Sequence, residues 1–446
     1  MSRSAVLAML AAAGTALAAG AGASAQRVIW LQEFGTTADD GAKAVCTDRG
    51  AVYVVGYTSG ALPGQASAGE ADAFIRKYGR NGNEVWTRQF GTAGEDCALG
   101  VCADESGVYV LGWTDEALPG QVSAGRQDAY VRKYDPDGEE LWTRQFGAYG
   151  YDLAGHACAY GGAVYVAGQV EGALPGQESW YDHDAFVRKY DADGHDMWTH
   201  QFGTLKGDHA YGVCADESGV YVVGATSGDL FEDAPRLYSY GFARKYTHEG
   251  EALWADQFEV PPPHSYRQTS PVQAFAVSAA AGQVYIAGRV WGSFHHVWRG
   301  AGLKDWFIQR RAPDGRVEWT KQFGTVIDDC ANGVCADANG CYVVGYTSEG
   351  TYGSSMEAYV ARHDAAGDQL WTMVFGSKGS DVAHGVDADD SGVYVVGRVS
   401  GPLQTGLYKP HPIPGTPGVT GDTGASEEWD RGREAFVMKL AREAGP

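Results

Sequence analysis

"WTRQFG" occupies Trp86–Gly91 and recurs unchanged at Trp142–Gly147. Close copies are "WTHQFG" from Trp198, "WADQFE" from Trp254, "WTKQFG" from Trp319, "WTMVFG" from Trp371 and "WLQEFG" from Trp30. Successive tryptophans stand 56, 56, 56, 56, 65 and 52 residues apart. A sustained period of this length marks a repeat architecture, in which one supersecondary unit stacks on the next. Two further landmarks keep the same beat, seven times each. One is "VYVVG" and its variants, from Val52, Val108, Val164, Val220, Val284, Cys341 and Val393; the other is "DAFVRKY" and its variants, from near Asp72, Asp128, Asp184, Tyr240, Asp305, Glu357 and Glu434.

Within a period the pattern is β throughout. In residues 96–147, "CALGVCAD" reads as a short strand and "ESG" as a tight turn with Gly placed for positive φ. "VYVLGWT" alternates and is rich in β-branched and aromatic residues. After the longer loop "DEALPGQVSAGRQ" come "DAYVRKYD", a second tight turn "PDGEE" and the strand "LWTRQFG". Four strands per period of about 56 residues make a propeller blade. The last period ends at "REAFVMKLAREAGP" without its Trp strand, and the first Trp strand, Val28–Gly35, has no blade before it. The two halves complete each other and remove an open sheet edge. The fold class predicted is therefore all-β: a single seven-bladed β-propeller domain over residues 26–446, with four-stranded blades and the N-terminal strand closing the C-terminal blade.

The periods resemble the bacterial seven-bladed β-propeller repeat (SBBP-type) family. Its pattern runs Asp–x–Ala–x–Gly–Val, a Val-Tyr-Val strand, Asp-Ala-Phe-Val–x–Lys-Tyr and a Trp strand. Asp96, Ala98, Gly100, Val101, Val108–Val110, Asp128–Tyr134 and Trp142 fit it, and the match runs over roughly residues 27 to 440. Blade 5 departs most, with Val272 in place of Asp and "WFIQRR" in place of the Lys-Tyr strand. The resemblance implies a secreted or surface-associated scaffold and no particular activity. "YDPDGEELW" is also similar to repeats of pyrroloquinoline-quinone propellers, but as a hairpin turn and a docking Trp it holds no quinone.

Charge and the N-terminus narrow the function classes. The 446-residue chain has a formal charge of −22, which excludes nucleic acid and anionic membrane surfaces as partners, since phosphates need Lys and Arg opposite them. "MSRSAVLAMLAAAGTALAAGAGASAQ" has Arg3, an apolar run from Ala5 to about Ala19 and "ASA" at Ala23–Ala25. It predicts a secretory signal over residues 1–25, being too short and too diluted for an anchor of about 20 strongly apolar residues. The protein is thus expected to be secreted, periplasmic or at the cell surface, without membrane insertion, and monomeric.

Residues that recur in every blade first ask for a structural reading. The seven Trp are expected to fill the widening outer gap between blades. Ala42, Ala98, Ala154, Ala210, Ala274, Ala331 and Ala383 suit a crowded innermost strand. The loop residues Asp40, Asp96, Asp152, Asp208, Asp329 and Asp381 could ring a cation, yet such an Asp more often bonds its own loop's N–H groups. Cys46, Cys102, Cys158, Cys214 and Cys335 share one position, filled elsewhere by Ser278 and Asp387. Export permits disulfides, but symmetry offers no partner and zinc spacing is absent, so free buried thiols are expected.

Function is expected where the repeats break. The chain runs down and up through each blade, so both tight turns share one face and the long loops share the other. The long-loop face receives every irregular insertion, in blades 4, 5 and 7, while blades 1–3 share "ALPGQ" loops and read as plain scaffold. Its candidate ligand-binding residues are Trp291, His295, His296, Trp298, Tyr408, His411 and Trp429. No nucleophile elbow, phosphate loop, metal set or cofactor motif is present. The leading reading is a non-catalytic binding or scaffold propeller for a glycan or a protein. The alternative is a hydrolase or lyase with a His/Asp site at the mouth of the central channel.

Overall fold

A computed structural model describes residues 26–180, 182–231, 239–259, 271–292, 304–325, 327–348, 356–377, 379–403, 409–410 and 433–442. The regular structure among them is entirely β, in seven antiparallel sheets with four strands to each blade. Blade 2, for example, pairs Asp96–Asp104, Gly107–Thr114, Asp128–Tyr134 and Glu140–Phe146 in sequence order. Blade 6 gains a short fifth strand, Lys409–Pro410, on its outer edge. The first strand of each blade lies against the first strands of its two neighbours, so these seven strands surround the central channel.

Blade 7 closes the ring as the sequence predicts. Its inner three strands are Val382–Asp389, Gly392–Val399 and Glu434–Leu440, and its outer strand is Val28–Phe34. Leu31 pairs with Met438 and Glu33 with Phe436, and the Ala441 N–H donates to the Arg27 carbonyl at 2.8 Å. The closing strand also sends Trp30 and Phe34 towards blade 1, where Phe34 meets Phe74 edge-on at 5.6 Å.

Each letter of the opening hexapeptide has a place in this architecture. The Trp86 indole N–H donates to the Pro136 carbonyl in the outer turn of the next blade, at 3.1 Å. Its ring lies against Gly138, where φ is +85° and a Cβ would come within 2.9 Å of the indole. That turn accepts glycine on both counts. The Thr87 hydroxyl accepts from Arg76 Nε at 2.8 Å, and Arg88 Nε donates to the Gly138 carbonyl at 2.8 Å. Gln89 ties the long loop down, accepting from Leu62 N–H and donating to Asp72. Phe90 packs between Tyr130 and the Arg132 guanidinium of blade 2, and Gly91 is squeezed between the Asp72 and Asp96 carboxylates.

The same indole bond recurs from Trp30, Trp142, Trp198, Trp254 and Trp319. Trp371 faces blade 7, whose third and fourth strands come from opposite ends of the chain and so share no turn; its indole nitrogen is buried without a partner. The missing bond is a direct consequence of closing the ring with the N-terminal strand.

Seven apolar clusters hold the ring, each built from two adjacent blades. Every blade is therefore covered on both faces, which accounts for runs such as "VYVV" in place of strict alternation. Nearer the axis, the position shared by Cys, Ser and Asp accepts a hydrogen bond from the first strand of the next blade. Cys158 Sγ takes Ala215 N–H at 3.2 Å, Ser278 Oγ takes Ala336 N–H at 3.0 Å and Asp387 Oδ2 takes Thr47 N–H at 2.6 Å. These three residue types interchange because each offers a compact acceptor. All eight cysteines are unpaired.

Candidate binding site at the channel mouth

The loop aspartates are committed to their own loops. Asp208 Oδ2 accepts Thr204 N–H at 2.6 Å and the Thr204 hydroxyl at 3.0 Å, and Asp40, Asp96 and Asp329 repeat the pattern. Asp152 and Asp381 bond the N–H of Ala148 and Ser377 in the same way. Burial raises their carboxyls, to about 6 in Asp96, Asp152 and Asp208. Among the described residues, Asp191, Asp193 and His195 bring three potential metal-ligating atoms together within 4.8 Å. They form an exposed turn on the opposite face, in which Asp191 accepts the N–H groups of Asp193 and His195.

Chemistry that differs from blade to blade gathers at one level of the channel. The innermost strand of every blade carries a bulge directly after its shared Ala. The bulged residues are Lys43, Leu99, Gly155, Tyr211, Phe275, Asn332 and His384, seven different types beside an invariant neighbour, all half-buried. A bulge re-aims its side chain out of the pleat and recurs next to functional sites. Just above, near the end of each second strand, stand Tyr57, Trp113, Gln169, Ala225, Arg289, Tyr346 and Arg398. Both levels lie towards the long-loop face, because the first strand starts there and the second ends there.

Across blades 3 to 5 these groups join into a ladder of rings and cations. His183 and His209 have ring centroids 5.9 Å apart, and His209 stacks on Tyr211 at 5.6 Å. Tyr211 meets Phe275 at 5.2 Å, and the Arg289 guanidinium lies 5.2 Å from Phe275 and 4.8 Å from Trp291. The Lys304 ammonium lies 5.4 Å from the same indole. Burial pulls His209 down to about 4, helped by the charge of His183, so it is neutral at physiological pH; its Nδ1 bonds Gln169 Oε1. His183 sits between carboxylates, with Nδ1 2.9 Å from Asp182 and Nε2 3.9 Å from Glu171. Beside it opens a groove of about 770 Å³ lined by Tyr149, Glu171, Trp180 and Asp182. Tyr149 is 66% exposed and Trp180 37%.

Of the residues singled out from sequence, Trp291 lies on this ladder, its ring held between Arg289 and Lys304 and its backbone N–H donating to the Pro271 carbonyl. His295, His296, Trp298, Tyr408, His411 and Trp429 lie outside the described residues. The structure adds groups that the sequence reading passed over: the bulge residues, His183, His209, Tyr149 and Trp180. The groove falls on blade 3, on the side read as plain scaffold. A signal for it was present, since "QESWYDHD" replaces the "QASAGEAD" and "QVSAGRQD" of blades 1 and 2.

No protein-family model matches the chain. It is 28% identical over 257 residues to the regulatory protein FlaEY of Caulobacter vibrioides, a match covering 51% of this chain and 26% of that relative. The chain thus spans about a quarter of that protein's length. Among solved structures it is similar to a lignostilbene dioxygenase of Pseudomonas brassicacearum, at TM-score 0.43 and 11% identity, over 83% of this chain and 86% of that one. A cobalt-substituted Synechocystis ACO gives TM-score 0.42 and 8% identity over 83% and 87%. Likeness at this level carries no functional argument. The chain is a seven-bladed β-propeller.

Proposed function

We propose that this chain is an exported, monomeric, non-catalytic propeller of the SBBP-repeat type that recognises a glycan through its long-loop face, over the channel mouth. One observation carries the reading: the only level of the innermost strands where all seven blades differ is the bulge, and five of its seven residues, Lys43, Tyr211, Phe275, Asn332 and His384, are aromatic or polar. Folding alone keeps repeats alike, whereas a binding site needs particular side chains at particular places. Aromatic rings present flat apolar faces with polar rims, which suits sugar rings, and the open groove beside Trp180 would admit an extended chain.

The test is a glycan array followed by calorimetry on the full chain. Tyr211→Ala and Phe275→Ala should each weaken a detected glycan at least tenfold, while Glu105→Ala on the opposite face leaves it unchanged. Binding that survives both aromatic replacements, or a protein partner captured with no glycan bound, would overturn the reading. The hydrolase or lyase alternative has its best-placed groups in His183, Asp182 and Glu171, and release of shortened products from the bound glycan would favour it.

A further inference from the structure

The sector where blades 7 and 1 meet holds basic groups that, among the described residues, no carboxylate pairs with. Lys43 and His384 are the bulge residues of two adjoining strands, packed so closely that a Cβ on Gly385 would lie 3.1 Å from the Ala44 Cα. Arg398 stands at the level above, on the neighbouring strand of blade 7. Among the described residues no hydrogen bond or ion pair engages the Lys43 ammonium, which lies 5.4 Å from the centre of the Tyr57 ring. Arg398 Nε and His384 Nε2 are buried without partners. The loop carboxylates of the same two blades are turned elsewhere: Asp40 accepts from Thr36, and Asp381 from Ser377 and Ser400.

Electrostatics agree with the geometry. Burial lowers the Lys43 ammonium, and the charges of Arg398 and Arg433 lower it further. Burial likewise holds His384 well below the usual imidazole range, with Lys43 and Arg398 adding repulsion. Buried or half-buried cations without counter-charges are costly, and natural sites compensate them. In a chain of net charge −22, a gathering of cations with no ion-paired carboxylate among the described residues is suited to an anionic ligand.

We infer that this sector binds the carboxylate of an acidic saccharide, with Lys43 and Arg398 as its charged contacts and the Tyr57 ring beside the sugar. The inference rests on the reading of the long-loop face as a glycan-binding face and names the ligand's chemical class. The Arg fork suits a planar carboxylate, and Lys43 adds a point charge.

Calorimetry on the full chain with tetragalacturonate and its neutral counterpart tetragalactose tests it. The acidic probe should bind at least tenfold more tightly at low salt, with the advantage shrinking as ionic strength rises. Lys43→Gln and Arg398→Gln should each remove most of that advantage and leave the neutral probe unchanged. Both variants should hold or raise Tm, because each relieves an uncompensated charge; a purely structural role would lower it. Equal affinity for the two probes, or unchanged acidic binding in both variants, overturns the inference. If Tyr211→Ala still weakens both probes in that event, the glycan reading stands and the anion site alone falls. If neither probe binds the unaltered chain, both fall.

Discussion

Asp96 is 1% exposed, and burial lifts its carboxyl to about 6 against the hydrogen bonds from Thr114 and Thr92 that lower it. The folded value lies above the unfolded one, so the native state holds this proton more tightly. Its contribution to stability is fully present below about pH 3.8 and is lost as pH rises through about 6. Asp96→Asn cannot lose that proton. Thermal unfolding at several pH values should therefore show the parent losing about 2–3 kcal/mol relative to the variant between pH 4 and 7. His209 and His363, both held down to about 4 by burial, act in the opposite direction over the same window. They are common to both proteins and cancel in the difference. Parallel stability profiles would show that the carboxyl is not raised. The sequence assigns such an Asp to its own loop's N–H groups, and Thr92, four positions upstream, supplies both an N–H and a hydroxyl to it.

At the scale of elements, the decisive strand is the first. Val28–Phe34 covers the edge of Glu434–Leu440 and packs Trp30 and Phe34 against blade 1. Deleting residues 26–34 should expose that edge and open the joint to blade 1 together, giving a strongly lowered Tm and aggregation on heating. A synthetic peptide spanning residues 26–36 should restore much of the Tm by adding back the missing strand. An unchanged Tm in the truncated protein would mean that the ring does not depend on this closure. The four-strand period, its turns and the closing strand were all legible, because each rests on local patterning repeated seven times. The bulges were not, since a one-residue shift of register leaves no mark of its own in an apolar run.

For the molecule as a whole, the innermost strands form a belt in which Cys158, Ser278 and Asp387 each accept a hydrogen bond from the next blade. The cysteine thiols on this belt are pushed up by burial, those of Cys46, Cys102 and Cys214 well above the ordinary value and that of Cys158 to about 11. Little thiolate is present at neutral pH, and reaction with disulfide reagents needs thiolate. Titration with a thiol reagent should find few reactive groups in the native protein and all eight after denaturation without reductant. Four disulfides recovered from denatured protein would overturn the belt of free acceptors.

The all-β class, seven blades of four strands, the closing of blade 7 by the first strand and the structural duty of the tryptophans were all readable along the chain. These follow from periodicity, alternation and turn chemistry, which are local properties that a chain writes along its length. The sequence also marked the long-loop face as the variable one and picked out Trp291. Tertiary structure alone decided which residues share the channel mouth. Lys43, Tyr211, Phe275 and His384 lie far apart in the chain and each occupies an unremarkable strand position. Ring closure and the common bulge place them at one level, and a site assembled across seven blades has no contiguous stretch of sequence in which to appear.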